Sequence, residues 1–306
     1  MALVGLLSII IAAIIFPGIV GALKAKVGGR KSPSIFQPLY DVIRLFNKGT
    51  VYSSTTSIIF RIAPLVYFAS VVSALTLIPF AGQKGLMSFE GDFVFFAYML
   101  AIGKFLMIIA AMDTGSGFEG MGANREALYS LLVEPAFFIL MGSLALFAGS
   151  TSFYDLYHHL HINTHLSYLT AITAIYVLVY IAMVENSRLP VDDPKTHLEL
   201  TMVHEVMVLD NSGFDLGLIN LANWLKFAVY GTLIANFLLP FSLPHYSQII
   251  FFFLIQMAFA LTVGGLESFK ARNKMAKNPQ FIVVLSAIAV LAFLTALIIT
   301  EKFTLN

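Results

Sequence analysis

Long apolar runs separated by short polar segments dominate the hydrophobic pattern of this 306-residue chain. We distinguish eight runs, each with about the 20 residues that a helix needs to cross a hydrocarbon core about 30 Å thick. They cover approximately residues 2–23, 57–80, 93–112, 129–149, 167–185, 222–241, 247–267 and 280–300. None alternates with the period of two that the strands of a membrane barrel require. The pattern therefore predicts an all-α polytopic membrane protein with eight transmembrane helices.

A shorter segment at about residues 34–48, SIFQPLYDVIRLFNK, combines apolar and polar positions at helical spacing. Its apolar positions are Ile35, Leu39, Val42, Ile43 and Phe46, and Asp41, Arg44 and Lys48 lie on the other side of the predicted helix. This pattern predicts an amphipathic helix at the cytoplasmic membrane interface. Two roles fit it: an anchor on the membrane surface, or a roof over a cavity between transmembrane helices. No repeat, low-complexity tract or linker divides the chain, so we expect one transmembrane domain over residues 1–306.

The basic residues outside the apolar runs predict the orientation, because cytoplasmic loops are enriched in lysine and arginine. With the N-terminus outside, 13 basic residues fall in cytoplasmic loops, and only Lys84 and Lys302 fall outside. The first run has no basic residue before it, unlike a secretory signal, so we expect it to be retained as a helix. We therefore expect a multi-pass protein of the cytoplasmic (inner) membrane with both termini outside and a large cytoplasmic loop at about residues 185–221.

Composition excludes several kinds of redox site within the chain. Because the chain contains no cysteine, it holds neither an iron–sulfur cluster nor a thiolate-bound nickel, and it forms no disulfide. No histidine lies in the middle of an apolar run, which argues against a buried bis-histidine haem. The outer segment HHLHINTH places His158, His161 and His165 at a spacing compatible with a metal ion, but we expect a polar loop there and no metal. No basic stretch carries the interleaved aromatic residues typical of nucleic-acid binding.

Two ionisable residues, Lys104 and Glu134, lie inside apolar runs, where a charge costs about 2.5–3.5 kcal/mol on insertion scales. Pro135 follows Glu134, so we expect the helix to be disturbed there and local backbone groups to be freed. One interpretation of the two charges is a structural Lys104–Glu134 ion pair. The other is a relay of protonatable groups, because burial lets a carboxylate exchange protons near neutral pH. Further candidates for a relay leading to the cytoplasmic side are Asp113, Glu119, Glu126, Glu185 and Glu267.

The predicted cytoplasmic loop begins with a strongly acidic stretch. From Glu185 to Asp215 it contains seven of the 17 acidic residues of the chain. Four of them, Asp192, Glu199, Glu205 and Asp210, extend the set of candidate relay residues. A charged loop is also typical of a solvated or docked surface, so each of these residues has two possible roles.

Several motifs resemble those of one family. The segment MDTGSGFEGMGANREALYSLLVEP (112–135) resembles the loop between the third and fourth helices of the membrane-anchor subunit in formate hydrogenlyases and related group 4 membrane-bound nickel–iron hydrogenases. Those subunits are similar to the NADH dehydrogenase subunit 1 family of respiratory complex I. ENSRLPVD (185–192), ESFKAR (267–272) and GGRKSPSIFQPLYDVIRLF (28–46) resemble further family motifs. The resemblance covers nearly the whole chain, and the topology of eight helices is also that of the family.

The resemblance implies a subunit of a multisubunit oxidoreductase and ion translocase that binds no cofactor itself. Its large cytoplasmic loop would dock a hydrophilic redox arm, and its buried carboxylates would couple electron transfer to proton or sodium movement. The implied partners are hydrogenase-like large and small subunits, carrying a nickel–iron centre and iron–sulfur clusters, and antiporter-like membrane subunits. The residues that we assign to arm docking or structural ion pairs are Arg125, Arg188, Arg44 and Asp41.

Alternative functions predict different sequence features. A quinone-reducing complex I subunit would hold its quinone in a chamber beneath the 34–48 helix, but Lys195 and His197 stand where that family has acidic residues, which favours the hydrogenase branch. A secondary transporter would show inverted repeats and a midplane site, and neither is evident here. A purely structural anchor would bind the redox arm without moving protons, and would tolerate loss of the Glu134 carboxylate.

Overall fold

A computed structural model describes residues 2–160, 165–192, 202–239 and 243–300, and these residues form eleven α-helices. The helices are α1 (Ala2–Val27), α2 (Gln37–Phe46), α3 (Ile58–Leu77), α4 (Asp92–Asp113), α5 (Gly117–Ala148), α6 (Phe153–Leu160), α7 (His165–Glu185), α8 (His204–Met207), α9 (Gly213–Leu238), α10 (His245–Phe269) and α11 (Asn278–Ile299). Within the described ranges the only β-type pairing is an isolated bridge between Phe80 and Gln83. The predicted all-α class is confirmed.

Seven of the described helices are long and apolar enough to cross a membrane: α1, α3, α4, α5, α9, α10 and α11. The fifth predicted run corresponds to α7, of which the residues from Thr170 to Glu185 form a shorter apolar helix. A polytopic helical membrane protein is thus confirmed, whereas the count of eight membrane-crossing helices stays a prediction.

Two helices begin earlier than the apolar pattern predicts. Helix α5 begins at Gly117 rather than near residue 129, so most of the segment expected as a loop is helical. Helix α9 begins at Gly213, so the large cytoplasmic loop is shorter than predicted. The first turns of α5 are rich in glycine and polar residues, and they are held by contacts that an apolar pattern does not record. Gly122, for example, lies against the carbonyl of Val203 and the side chain of Val206.

Proline does not interrupt α5. The helix continues from Gly117 to Ala148 through Pro135, so the disturbance expected at that position does not end it. Proline costs one backbone hydrogen bond inside a helix, but neighbouring helices can compensate within a membrane. Here α5 packs against α4, α7 and α11 along its length.

Helix α9 is the central element of the bundle. It packs against α1, α2, α3, α7 and α10, and 78% of its most apolar window is buried inside the protein. Alanines such as Ala228 and Ala235 are fully buried, and small side chains let membrane helices approach closely. Because α9 touches so many helices, polar side chains such as Lys226, Thr232 and Asn236 are held in the protein interior.

Helix α2 lies across the bundle on the side of the predicted cytoplasmic loops. Pro38 stands in its first turn, where the missing N–H of proline costs nothing. Val42 is buried, and the ring of Phe46 lies 5.2 Å from that of Phe214 in α9. Ile43, by contrast, is exposed, so only part of the apolar face predicted for this helix packs against the rest of the chain.

Candidate functional site

Four buried charged residues meet in the interior of the bundle and form what we call the buried charge cluster: Lys104 of α4, Glu126 of α5, Glu185 of α7 and Lys226 of α9. Each has a side chain no more than 10% exposed. Charges removed from water in this way need partners, because an unpaired buried ion is strongly destabilising. Two cations face two carboxylates, so the formal charges of the cluster cancel.

The distances inside the cluster are uneven. Lys104 Nζ lies 2.7 Å from Glu185 Oε1 and 3.4 Å from Glu126 Oε1. Lys226 Nζ lies 3.7 Å from Glu185 Oε2 and 5.6 Å from the centre of the Tyr67 ring. Glu185 is therefore the carboxylate that the two lysines share.

Glu134 does not pair with Lys104, which contradicts the structural ion pair considered from the sequence; Lys104 pairs instead with Glu126 and Glu185. The half-buried Glu134 side chain lines two cavities. One has a volume of about 30 Å³, about that of one water molecule, and is also lined by Glu185 and Tyr230. The other is a groove of about 380 Å³ between α4 and α5, lined by exposed apolar side chains such as Phe105 and Leu131.

A larger cavity of about 540 Å³ lies beneath α2 and is called here the α2 cavity. Residues of α2 that line it include Gln37, Pro38 and Asp41, which supports the roof rather than the simple anchor among the roles predicted for this helix. The opposite wall carries polar and charged groups, among them Lys24, Arg188, His204, Glu205 and Asn223. Trp224 and Phe227 add aromatic surface. The cavity thus combines apolar walls with several polar groups, as ligand sites generally do.

A chain of hydrogen bonds runs from the α2 cavity towards the buried charge cluster. Tyr67 Oη donates to Asn223 Oδ1 at 2.6 Å, and Asn223 Nδ2 lies 3.0 Å from His204 Nε2. Burial lowers the pKa of His204 to about 4; the charge of Glu126 opposes this shift, and those of Lys226 and Lys104 add to it. His204 is therefore neutral at neutral pH, and its Nε2 can accept the hydrogen bond from Asn223.

Two other predicted relay residues, Asp192 and Glu267, lie in ion pairs that join separate elements. Asp192 Oδ1 lies 2.7 Å from Arg272 Nη2, and Asp192 Oδ2 accepts from the backbone N–H of His204 at 3.1 Å. Glu267 lies 2.9 Å from Lys24 Nζ and 3.4 Å from Arg188 Nη1. These contacts hold the segment after α7 against α1, α8 and α10.

Two predicted relay residues, Glu119 and Asp113, accept hydrogen bonds from backbone groups, and a third, Asp210, takes part through its own N–H. Glu119 is fully buried and accepts from the N–H of Asp210 at 3.0 Å, so Asp210 contributes its backbone. Asp113 accepts from the N–H of Ser57 at 2.7 Å, which holds the beginning of α3 next to the end of α4. Such bonds satisfy polar groups at helix ends.

The residues predicted for docking or structural pairs behave differently from one another. Arg125 donates to the carbonyl of Met202 at 2.9 Å, whereas Arg188 pairs with Glu267 and stacks on Phe227. Arg44 lies 3.8 Å from Asp41 on the exposed side of α2, where an ion pair adds little stability.

Some predicted positions lie outside the described residues. Glu199, Lys195, His197 and His161 are among them, and the side chain of His165 is not described. Among the residues that are described, no group of three or more histidine, aspartate or glutamate side chains has the arrangement of a metal site.

The site residues predicted from the sequence do not include Lys226, Tyr67 or Asn223. Lys226 was detectable, because it lies inside the sixth apolar run just as Lys104 lies inside the third. Tyr67 and Asn223 carry no such signal, since tyrosine and asparagine are unremarkable within an apolar helix. Only the rotation of α3 and α9 about their axes brings the two side chains together.

Comparison with known proteins gives a consistent result. A family model described as NADH dehydrogenase matches residues 1–300. Hydrogenase-4 component C of Escherichia coli is 30% identical over 234 residues, which are 74% of this chain and 71% of the relative. Formate hydrogenlyase subunit 4 of the same organism is 28% identical over 186 residues, 60% of each chain. A subunit of the NADH-quinone oxidoreductase of Bordetella pertussis is 25% identical over 134 residues, which are 43% of this chain and 38% of the relative.

The fold has a counterpart among solved structures. A chain from the membrane-bound sulfane sulfur reductase, an archaeal respiratory membrane complex, superposes with a TM-score of 0.81. The match covers 96% of this chain and 98% of the other, at 19% sequence identity. At this identity the likeness establishes a shared fold and nothing about the reaction.

Proposed function

The chain belongs to the NADH dehydrogenase family, and from this premise we propose that it couples electron transfer in partner subunits to proton movement across the membrane. Its relatives are membrane subunits of hydrogenase-4, formate hydrogenlyase and NADH-quinone oxidoreductase complexes. We assign it the corresponding role of a membrane-anchor subunit, without bond chemistry of its own.

The buried charge cluster is the observation that carries this proposal. An ion-paired quartet inside a helical membrane protein is expensive, and ionisable residues in such places usually serve ion pathways. The cluster lies between the α2 cavity on one side and Glu134 on the other. A purely structural quartet has no need of polar connections in both directions.

The proposed path has three parts. Protons enter from the cytoplasmic side through the α2 cavity, whose wall includes His204 and Asn223. They exchange within the buried charge cluster, and then reach Glu134 through the one-water cavity that also borders Glu185. Titratable side chains act as the proton carriers on this path, and the assembly supplies the driving force through electron transfer elsewhere.

Glu134 would transfer protons laterally to another membrane subunit. The groove beside Glu134 opens between α4 and α5, and its rim includes the exposed side chains Phe105 and Leu131. A carboxylate in an otherwise apolar groove needs a polar or charged partner, because hydrocarbon cannot solvate it. We assign this groove to an antiporter-like subunit, as the family resemblance implies.

The cytoplasmic face would bind the redox arm. The arm would consist of hydrogenase-like large and small subunits, with a nickel–iron centre and iron–sulfur clusters. Exposed charged and apolar residues of α2, including Arg44, Tyr40 and Ile43, provide a docking surface next to the α2 cavity. A redox change at the arm would thereby act close to the start of the proposed proton path.

A second candidate function is favoured by the α2 cavity itself. Its volume of about 540 Å³ and the aromatic side chains of Trp224 and Phe227 suit the ring of a quinone, and the polar wall suits its carbonyl oxygens. In that case the chain would be the quinone-chamber subunit of a complex I-type reductase. The residue-level resemblance to hydrogenase anchors, and the hydrogenase-4 relative, make this the second choice.

Glu134→Gln tests the main proposal. In the purified complex, reconstituted in vesicles, we expect electron transfer to continue while the number of protons moved per electron falls by at least about tenfold. The reason is that glutamine has nearly the shape of glutamate but does not carry a proton, and a positioned proton carrier contributes on the order of 100-fold to 10,000-fold. A pH-sensitive dye inside the vesicles measures the protons, and the redox assay measures the electrons.

The matched control is Glu90→Gln, which removes an exposed carboxylate from the segment before α4. We expect it to leave both measurements unchanged. Normal proton movement in an assembled Glu134→Gln complex would show that the chain is an anchor without a proton path.

A further inference from the structure

The two lysines of the buried charge cluster are not equally stabilised in their charged forms. Lys104 Nζ has two carboxylate partners, at 2.7 Å and 3.4 Å. Lys226 Nζ has one, at 3.7 Å, although its side chain is more deeply buried, with 4% exposed against 10% for Lys104. The face of Tyr67, 5.6 Å away, supplies only a weak cation–π contact. Burial disfavours the charged form of an amine unless partners compensate. The charged form is therefore less well stabilised at Lys226 than at Lys104.

We propose that Lys226 is the member of the buried charge cluster that releases and regains a proton in each transport cycle, while Lys104 keeps its charge throughout. The inference rests on the proposed proton-coupling function and adds to it a residue that carries the proton. The two lysines then have different roles: Lys226 carries the proton, and Lys104 holds Glu126 and Glu185 in place.

The titratable or charged neighbours of Lys226 come from five helices. Glu185 comes from α7, Lys104 from α4 and Glu126 from α5. Tyr67 comes from α3, and His204 of α8 completes the set on the side of the α2 cavity. The two carboxylates favour the charged amine, while Lys104 opposes it, so the protonation of Lys226 responds to that of Glu185.

The access of Lys226 to the α2 cavity goes through Tyr67 and Asn223. The ring of Tyr67 covers Lys226, and its hydroxyl donates to Asn223 Oδ1 at 2.6 Å. Asn223 and its partner His204 both line the α2 cavity. A carboxamide does not pass protons readily, so Asn223 acts as a positioning residue that holds the Tyr67 hydroxyl. A rotation of this side chain would open the route to water.

The transfer step is balanced within the cluster. An N–H bond of Lys226 breaks and an O–H bond forms at Glu185 Oε2, so one positive and one negative charge disappear together. Glu185 then releases its proton into the one-water cavity next to Glu134. A proton arriving from the α2 cavity restores the Lys226 ammonium and the original charge balance. No electron or second reactant is required.

Two substitutions of Lys226 separate a proton carrier from a structural cation. Lys226→Arg keeps a charge that cannot be lost, because arginine stays protonated under all ordinary conditions. Lys226→His provides a group that titrates, but at lower pH than lysine. A proton carrier predicts that arginine fails and histidine works at reduced pH, whereas a structural cation predicts the reverse.

The experiment uses the whole complex in vesicles, with electron transfer and proton movement measured together from about pH 5.5 to 8.5. We expect Lys226→Arg to assemble and transfer electrons, but to lower the protons moved per electron by at least about tenfold. We expect Lys226→His to retain part of the proton movement, with its optimum shifted to lower pH. Lys84→Arg, on the outer side of the bundle, is the control that should match the original complex.

Two results would overturn the inference: normal proton movement in Lys226→Arg, or a pH optimum of Lys226→His equal to that of the original complex. If arginine is too large for assembly, the histidine variant alone decides. Failure of the wider proposal looks different, because Glu134→Gln would then leave proton movement normal as well. If Glu134→Gln blocks proton movement and Lys226→Arg does not, only the assignment of Lys226 is wrong.

Discussion

At the scale of single residues, close packing around α1 sets the shape of the α2 cavity. A Cβ atom at Gly18 would overlap the backbone carbonyl of Ile35, in the segment that leads into α2. A backbone atom cannot move aside as a flexible side chain can. Gly21, one turn further along the same helix and also lining the cavity, has open space where a Cβ atom would stand. These two glycines therefore differ in their contacts, although both lie in the first apolar run of the sequence.

Gly18→Ala should destabilise the protein by about 1–3 kcal/mol, the usual cost of overpacking. Gly21→Ala should have no such cost, and should stabilise α1 by about 0.5–1 kcal/mol because alanine favours a helix. Thermal unfolding of the purified chain in detergent, followed by size-exclusion fluorescence, measures both. Equal stability of the two variants would mean that the segment before α2 adapts freely.

The sequence predicts several of the ionisable residues within the membrane, although Lys226 was missed, and it does not predict which of them meet. Lys104, Glu126 and Glu134 stand out because they interrupt apolar or weakly polar helices. Their partners depend on how each helix is rotated, and Lys104 turns towards Glu126 and Glu185, 22 and 81 positions further along the chain. Such pairs are properties of packing, which a pattern along one chain does not contain.

At the scale of helices, Glu267 near the end of α10 joins three parts of the chain. It contacts Lys24 of α1 and Arg188 of the segment after α7, and its own side chain is fully buried. Removing one member of a buried ion pair is costly, because the remaining charges lose their compensation. This contact therefore fixes α1 and α10 to the segment that forms part of the α2 cavity wall.

Glu267→Gln should lower the stability of the folded chain by about 3 kcal/mol, the lower end for breaking a buried pair, since Lys24 and Arg188 keep some exposure. The same thermal assay in detergent measures it, with Glu90→Gln as the exposed control. An unchanged midpoint would indicate that water reaches the two cations and replaces the carboxylate.

The presence of the helices was easier to predict than the residues at which they begin and end. All eight apolar runs correspond to helices, because each run is long and continuous. The starts of α5 and α9 were placed too late, since their first turns are polar and are stabilised by neighbours such as Val203 and Gly49. The predicted amphipathic helix is α2, Gln37–Phe46. Because Ile43 is exposed, only part of its apolar face packs against the rest of the chain.

At the scale of the whole molecule, several features indicate that the chain is one subunit of a larger assembly. It has no cysteine to hold a redox centre, and the family members that it resembles in sequence are subunits of redox complexes. The α2 cavity carries several polar groups, and the groove beside Glu134 places a carboxylate among apolar side chains. These are the two places where the proposed function requires partners.

Mild detergent extraction should therefore yield the chain together with other subunits. We expect mass spectrometry to identify hydrogenase-like large and small subunits and antiporter-like membrane subunits, and metal analysis to find both nickel and iron. Iron without nickel would favour the quinone-reducing alternative and direct attention to the α2 cavity. Isolation of the chain alone would contradict the assignment to a complex and strengthen a transporter function.

The small cavity between Glu185 and Glu134 also bears on the choice of coupling ion. Its volume of about 30 Å³ accommodates one water molecule, and several of its walls are apolar, including Phe137 and Ile181. A sodium ion would have to shed its hydration shell there, and selective pores make such a step possible only by offering a ring of oxygen atoms instead. A proton can pass through a single water molecule without any ion crossing the space. On the proposed path, a cavity of these dimensions favours protons over sodium ions by size and solvation, even if a partner subunit exchanges sodium elsewhere in the assembly.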